Sequence, residues 1–303
     1  MTISRMKLWS LQALVAVIAL TIWHVGGTVR ADGLFSLLGW TVPKDGAYLL
    51  PKFFFSTPLD VAERVWSMFA KGTAKIAACK EPYKLLELFK TSNACFGATI
   101  WQHILYTLTE GVLAFVIGSI AGVAAGFWLA RKPLLAAVFD PYIKIVNALP
   151  RVVLAPIFML WFGLGISSKV ALGVTLVFFI VFFNVYQGVK EVSPVILANA
   201  RMLGMSEKQL FRNVYWPSAL SWMFSSLHTS VGFAIIGAVV GEYLGAAAGL
   251  GYVIQQAEGT FDVTGVFAGM VILAAFVLGI DGLVTIAERR LLVWRPPSAS
   301  GQV

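Results

Sequence analysis

Apolar residues in this chain fall in long unbroken blocks, not in the alternation of a strand or the three-and-four spacing of a surface helix. The first block runs from Leu8 to about Val25 behind Arg5 and Lys7. A second covers about Tyr106 to Ala130 and stops at Arg131-Lys132-Pro133. A third, about Leu134 to Phe162, is interrupted by Pro150 and Pro156. A fourth is Val170 to about Gly188, a fifth Ala219 to about Leu244, and a sixth Val266 to about Ile286. Each is near the length of about 20 residues that carries a helix across a bilayer. The pattern predicts an all-α polytopic membrane protein of about six transmembrane helices.

The intervening segments set the organisation. Residues 1–26 read as an N-terminal anchor. Val29-Arg30-Ala31 resembles a cleavage site, but the apolar run is long for a signal peptide and contains Trp23 and His24, so the anchor is expected to stay. Residues 27–100 hold Pro43, Pro51, Pro58, Pro82 and both cysteines, with an amphipathic stretch from Leu59 to Phe69. Nothing there is long enough to span, so they form an extramembrane loop. Residues 101–295 are the helical core, with a polar stretch at about 189–217, and 296–303 are a polar tail.

Composition sharpens this. Hydrophobic residues make up 58% of the 303 and charged ones 13%, against roughly 25% charged in a soluble domain, and mean hydropathy is +0.81. These values exclude a disordered chain, a cytosolic enzyme and a disulfide scaffold. The net charge of +8 would suggest nucleic acid in a soluble protein. Here basic residues flank spans, so no nucleic-acid partner is expected and membrane lipid is. With a cytoplasmic N-terminus, the inner segments carry Arg5, Lys7, Arg131, Lys132, Lys190, Arg201, Lys208, Arg212, Arg289, Arg290 and Arg295, and the short outer loops only Lys169. Both termini are therefore expected inside and the 27–100 loop outside. In that oxidising space Cys79 and Cys95 either pair or stay as two thiols.

The spans carry few chemical groups. Gly118, Gly122 and Gly126, and Gly237, Gly241, Gly245 and Gly249, repeat every four residues. That spacing lets another backbone approach closely, as static packing or as a sliding contact. Glu110, Glu242 and Asp281 lie in apolar runs, where acidic groups default to function or to the interface. Arg151 follows Pro150; it either satisfies carbonyls freed by the proline or faces an aqueous path and attracts an anion. His228 belongs to a polar helix face, fit for packing or for lining a path. Glu110, Glu242, Arg151 and His228 are thus the candidate pathway residues. Neither a phosphate loop, a nucleophile turn nor metal ligands at helical spacing occur, so no catalysis, metal or cofactor is expected.

The most informative segment is Glu191 to Pro217. Ser193-Pro194 reads as the start of a helix that Gly204 ends. Ser206 with Gln209 reads as a capping box opening a second helix that stops before Pro217. Ile196, Leu197, Met202, Leu203, Met205, Leu210 and Phe211 are apolar knobs around this glycine elbow. The pattern fits docking to a partner or an amphipathic loop resting on lipid headgroups.

The stretch A-N-A-R-M-L-G-M-S-E-K-Q-L-F-R-N-V-Y-W-P-S-A-L resembles the EAA loop of ABC importer permeases. Ala198-Asn199-Ala200 stand for the triplet, Gly204 for its glycine and Pro217 for the proline before the next span; Ala198 replaces the usual Glu. Asn147 to Gly165 and Gly241 to Ile254 resemble the nitrate/sulfonate/taurine-type permeases. The resemblance covers about residues 100 to 295 and implies a type I importer fold. It also implies a permease homodimer, cytoplasmic ABC ATPase subunits that receive the loops, and a periplasmic or lipid-anchored solute-binding protein. ATP hydrolysis would belong to the ATPase; the solute would be a small anion such as nitrate, a sulfonate or taurine, though the family also carries neutral pyrimidine-type compounds. The rival is a secondary transporter; the sequence offers no inverted repeat and no midplane acidic pair to support it.

Overall fold

A computed structural model describes residues 5–29, 55–78 and 99–291, with the backbone alone at 5–8, 133, 289 and 291. Cys79, Cys95 and the 296–303 tail lie outside the described residues. Every regular element described is helical. In chain order these are α1 (Arg5–Thr28), α2 (Pro58–Ala77), α3 (Ile100–Ala130), α4 (Pro133–Ala148) and, after a 3-10 turn (Arg151–Leu154), α5 (Ala155–Phe162). There follow α6 (Ile166–Lys190), α7 (Pro194–Met202), α8 (Glu207–Leu210), a π turn (Phe211–Tyr215), α9 (Trp216–Gly245), α10 (Leu250–Gly259) and α11 (Val263–Leu291).

Among the described residues, five helical segments are long and apolar enough to cross a membrane, at Trp9–Thr28, Ile100–Ala130, Ile166–Lys190, Glu207–Gly245 and Val263–Glu288. The α4–α5 pair makes a sixth if it counts as one span bent by 83°. Five of the six expected spans are therefore present, most of them longer than the apolar block that predicted them. α3 begins at Ile100 because Thr99 caps it, its hydroxyl accepting from the Gln102 amide. At 31 residues it measures roughly 46 Å, well beyond a hydrocarbon core of about 30 Å. The third block does not run straight. Pro150 cannot donate a backbone hydrogen bond, and the chain turns at Leu149-Pro150 before the 3-10 turn restarts it.

The chain divides into two compact units. One holds 99–252 and 274–291 among the described residues, with α6 packed between α3 and α9. Gly118, Gly122 and Gly126 lay α3 on α6: a methyl group on them would stand 2.8 Å from Val177 Cβ, 2.8 Å from the Phe178 carbonyl and 2.9 Å from the Phe182 carbonyl. On the other side Gly237 meets Gly173, and a methyl on Gly241 would stand 2.6 Å from Lys169 Cγ. Ala114, Val177, Val181, Val185 and Ala234 fill the seam. Lipid tails are as apolar as these side chains, so close backbone contact supplies the association.

The other unit holds 5–29, 55–78 and 253–273 among the described residues. Thr57 caps α2, its hydroxyl accepting from the Asp60 amide at 3.2 Å, and Pro58 occupies the first turn. The amphipathic stretch expected at Leu59 to Phe69 is thus the first half of a 20-residue helix. Trp23 Nε1 on α1 donates to the Phe55 carbonyl, and the Trp23 ring packs 5.4 Å from that of Phe267 on α11.

Candidate functional site

The polar stretch folds as an elbow. α7 starts at Pro194; Ser193 precedes it without the side-chain cap its identity suggests. The helix ends as a Schellman turn: Met205 N donates to the Ala200 carbonyl at 3.1 Å, and Gly204 N to the Arg201 carbonyl at 3.0 Å. Gly204 adopts φ +76°, which a glycine enters at no steric cost. The capping box is present: Ser206 Oγ accepts from Gln209 N at 3.4 Å, and Ser206 N donates to Gln209 Oε1 at 2.8 Å. Arg131 at the end of α3 pairs with Glu207 at 3.3 Å.

Two expectations fail here. The second helix does not stop before Pro217. It continues through the π turn into α9, giving one helical segment from Glu207 to Gly245. The wide turn supplies the slack that lets Pro217 stand in the first turn of α9 without a clash. Leu210 and Phe211 are not free knobs either. Leu210 is buried, and Phe211 packs edge-on to Phe127, 5.3 Å between centroids. The exposed apolar side chains are Val195, Ile196, Met202 and Leu203, the last two 85% and 81% exposed. Ala198, Asn199 and Gly204 are exposed, Ala200 is buried and Pro217 half-buried.

Glu110 and Glu242, read from sequence as separate, meet in the helical core. Both are buried, and Lys169 lies 3.5 Å from Glu110 Oε1. Lys169 is therefore not an outer-loop residue but a buried one in the first turn of α6. Glu242 is held by hydrogen bonds: Thr107 Oγ1 donates to Oε1 at 2.6 Å and Gly251 N to Oε2 at 2.7 Å. Leu250 N donates to Thr107 Oγ1 at 2.8 Å, and Gly249 N to His103 Nδ1 at 3.1 Å. The network fastens the α9–α10 turn onto α3. Gly249 sits at φ +115° against the Glu242 carboxyl, where any side chain would collide. Two carboxyl groups thus lie buried in this core, Glu110 beside Lys169 and Glu242 held by Thr107 and Gly251.

Arg151 reaches neither glutamate. Its Nη2 donates to Asn147 Oδ1 and, at 3.4 Å, to the Asn147 carbonyl. The guanidinium also stacks 4.7 Å over Phe179, and its Nε is buried with no hydrogen-bond partner among the described residues. His228 on α9 lies between two carboxylates of α11, with Nδ1 2.8 Å from Asp281 and Nε2 2.9 Å from Glu288. Sequence spacing alone did not single out Glu288. It stands seven residues after Asp281, two helical turns along the same face.

Comparison with known proteins closes the identification. Residues 116–293 match the family described as the binding-protein-dependent transport system inner membrane component. The chain is 40% identical over 234 residues to the formylaminopyrimidine transport permease protein of Halalkalibacterium halodurans, covering 76% of this chain and 91% of that one. It is 29% identical over 216 residues to the taurine transport system permease protein of Escherichia coli, covering 70% and 78%. Its fold matches a chain of the MetNI methionine ABC transporter in an inward-facing conformation, with TM-score 0.54, 18% identity and coverage of 63% and 95%. The chain belongs to this family, and it is the multi-pass inner-membrane permease subunit of an ATP-driven, binding-protein-dependent importer.

Proposed function

We propose that the polar stretch at about 189–217 couples this permease to its ATPase subunits, and that two copies of the chain enclose the solute path. The observation that carries the first part is the exposed Met202-Leu203 pair beside Gly204. It stands at the root of the helical segment Glu207–Gly245, which is 39 residues long. An ATPase groove that takes these side chains can push on a continuous rod, so movement at the elbow is delivered into the core. Both termini lie in the cytoplasm on this reading, which puts the elbow beside Arg131 and Lys190 on the basic side. The domain division into anchor, outer loop, core and tail follows from the same orientation. The test is Gly204→Val in the assembled transporter, reading uptake and ATP hydrolysis together; normal values for both would remove the elbow from the mechanism.

For the solute, we favour a small anion of the nitrate, sulfonate or taurine type. Support comes from the unspent Arg151 Nε and from the taurine relative, whose name implies a sulfonate. A neutral pyrimidine-type solute is the second reading, favoured by the formylaminopyrimidine relative. Uptake by Arg151→Gln separates them.

A further inference from the structure

We infer that α2 lies in the headgroup layer of the membrane, with the edge carrying Leu59 and Trp66 turned into the lipid. Nothing in the family match touches this helix, which precedes residue 116. The inference rests on α1 and α11 being spans, and not on the role of the elbow.

The depth of α2 is set by its first turns. Ser56 Oγ lies 2.8 Å from Thr264 Oγ1, at the start of the α11 span. Gly27, in the last turn of α1, stands against Thr57, and Trp23 holds the Phe55 carbonyl. The entry to α2 is therefore level with the ends of two spans. Arg64 then pairs with Asp262, which itself caps α11 by accepting from Gly265 N. Ser56, just before α2, and Arg64, in its second turn, thus reach residues two apart at the very start of α11. Along a helix lying parallel to the span, the six residues from Pro58 to Arg64 alone would rise roughly 9 Å. α2 instead crosses the end of the span, in the plane where the bilayer meets water.

Its side chains are sorted for that place. At 100° per residue, Asp60, Glu63, Arg64, Ser67, Lys71 and Lys75 share one half of the helix. On the apolar half, Val61 is buried, while the far edge carries Leu59 at 61% exposure and Trp66 at 76%. α1 likewise exposes every residue from Trp9 to Ile22, as a lipid-facing span does. A tryptophan at the level of span ends sits where its ring is most stable, between acyl chains and headgroups. Lys71 and Lys75 on the polar half suit anionic headgroups.

The test places single cysteines in the full-length transporter, with Cys79 and Cys95 replaced by Ser, reconstituted in phosphatidylethanolamine–phosphatidylglycerol vesicles. A membrane-impermeant maleimide should label Trp66→Cys several-fold more slowly than Lys71→Cys. A bimane on Trp66→Cys should be quenched by lipids brominated near the glycerol end of their chains. Equal labelling without quenching overturns the inference. So does protection seen only in cells carrying the complete transport system, which would give this face to a protein partner. If the cysteine substitutions impair folding, a photoactivatable phospholipid on the unmodified protein serves instead. Adducts within 59–68 are expected, and their absence overturns the inference.

Discussion

Lys169 Nζ lies 3.5 Å from Glu110 Oε1, with both side chains inside the helix bundle. The lysine also donates to the Leu164 carbonyl at 3.2 Å, while Glu242 has its own donors in Thr107 and Gly251. Lys169→Met would strand Glu110, and removing one partner from a buried ion pair costs about 3–5 kcal/mol. The variant should lose most of its thermal stability in detergent or fail to accumulate. Glu110→Gln, which leaves Lys169 an amide oxygen and the Leu164 carbonyl, should be milder. Equal melting of the two variants would contradict this arrangement.

The Glu242 carboxylate accepts on both oxygens. Glu242→Gln retains only one acceptor, so either Thr107 or the Gly251 amide loses its partner, at about 1–3 kcal/mol. Hydrogen exchange at Leu250 and Gly251 should rise while the α6 core stays protected. Gly249→Ala should act in the same place and more severely, because its side chain would enter the carboxyl.

Gly204 has open space around the position of a side chain, so only its backbone is constrained. Gly204→Val should cost roughly 1–2 kcal/mol at the turn and lower uptake per ATP hydrolysed. Gly204→Asn, which tolerates the left-handed region, should restore coupling. Uptake and ATPase assays on the two variants check this, and equal defects would place the requirement in the side chain.

Arg151→Gln keeps a donor for Asn147 but loses the charge and the stacking on Phe179. On the anionic reading, uptake should fall several-fold while the protein still assembles with its ATPase. Unchanged uptake of the native solute would shift the assignment to the neutral pyrimidine class.

The spans were legible because lipid imposes a length and a composition on each one separately. Gly204 and the Ser206–Gln209 box were legible because their geometry is local. The meeting of Glu110, Lys169 and Glu242 was not, since it depends on which faces of α3, α6 and α9 pack. Only the glycine repeats hinted at that. The same holds for His228 and its two carboxylates, which need the register of α9 on α11. Pro217 misled because proline normally stops a helix, and the π turn that accommodates it leaves no mark in the sequence. Leu210 and Phe211 misled because an apolar residue beside an elbow can serve the partner or its own core, and pattern does not choose.

The 83° corner between α4 and α5 has a consequence for the company this chain keeps. Leu149, Val152 and Val153 around it are exposed on the isolated subunit. A straight helix hides all its peptide groups from oil, whereas a corner lays some of them bare, and hydrocarbon offers them nothing to bond. Acyl chains therefore make a poor neighbour for this stretch. Water or the flank of another protein would match it better than oil does.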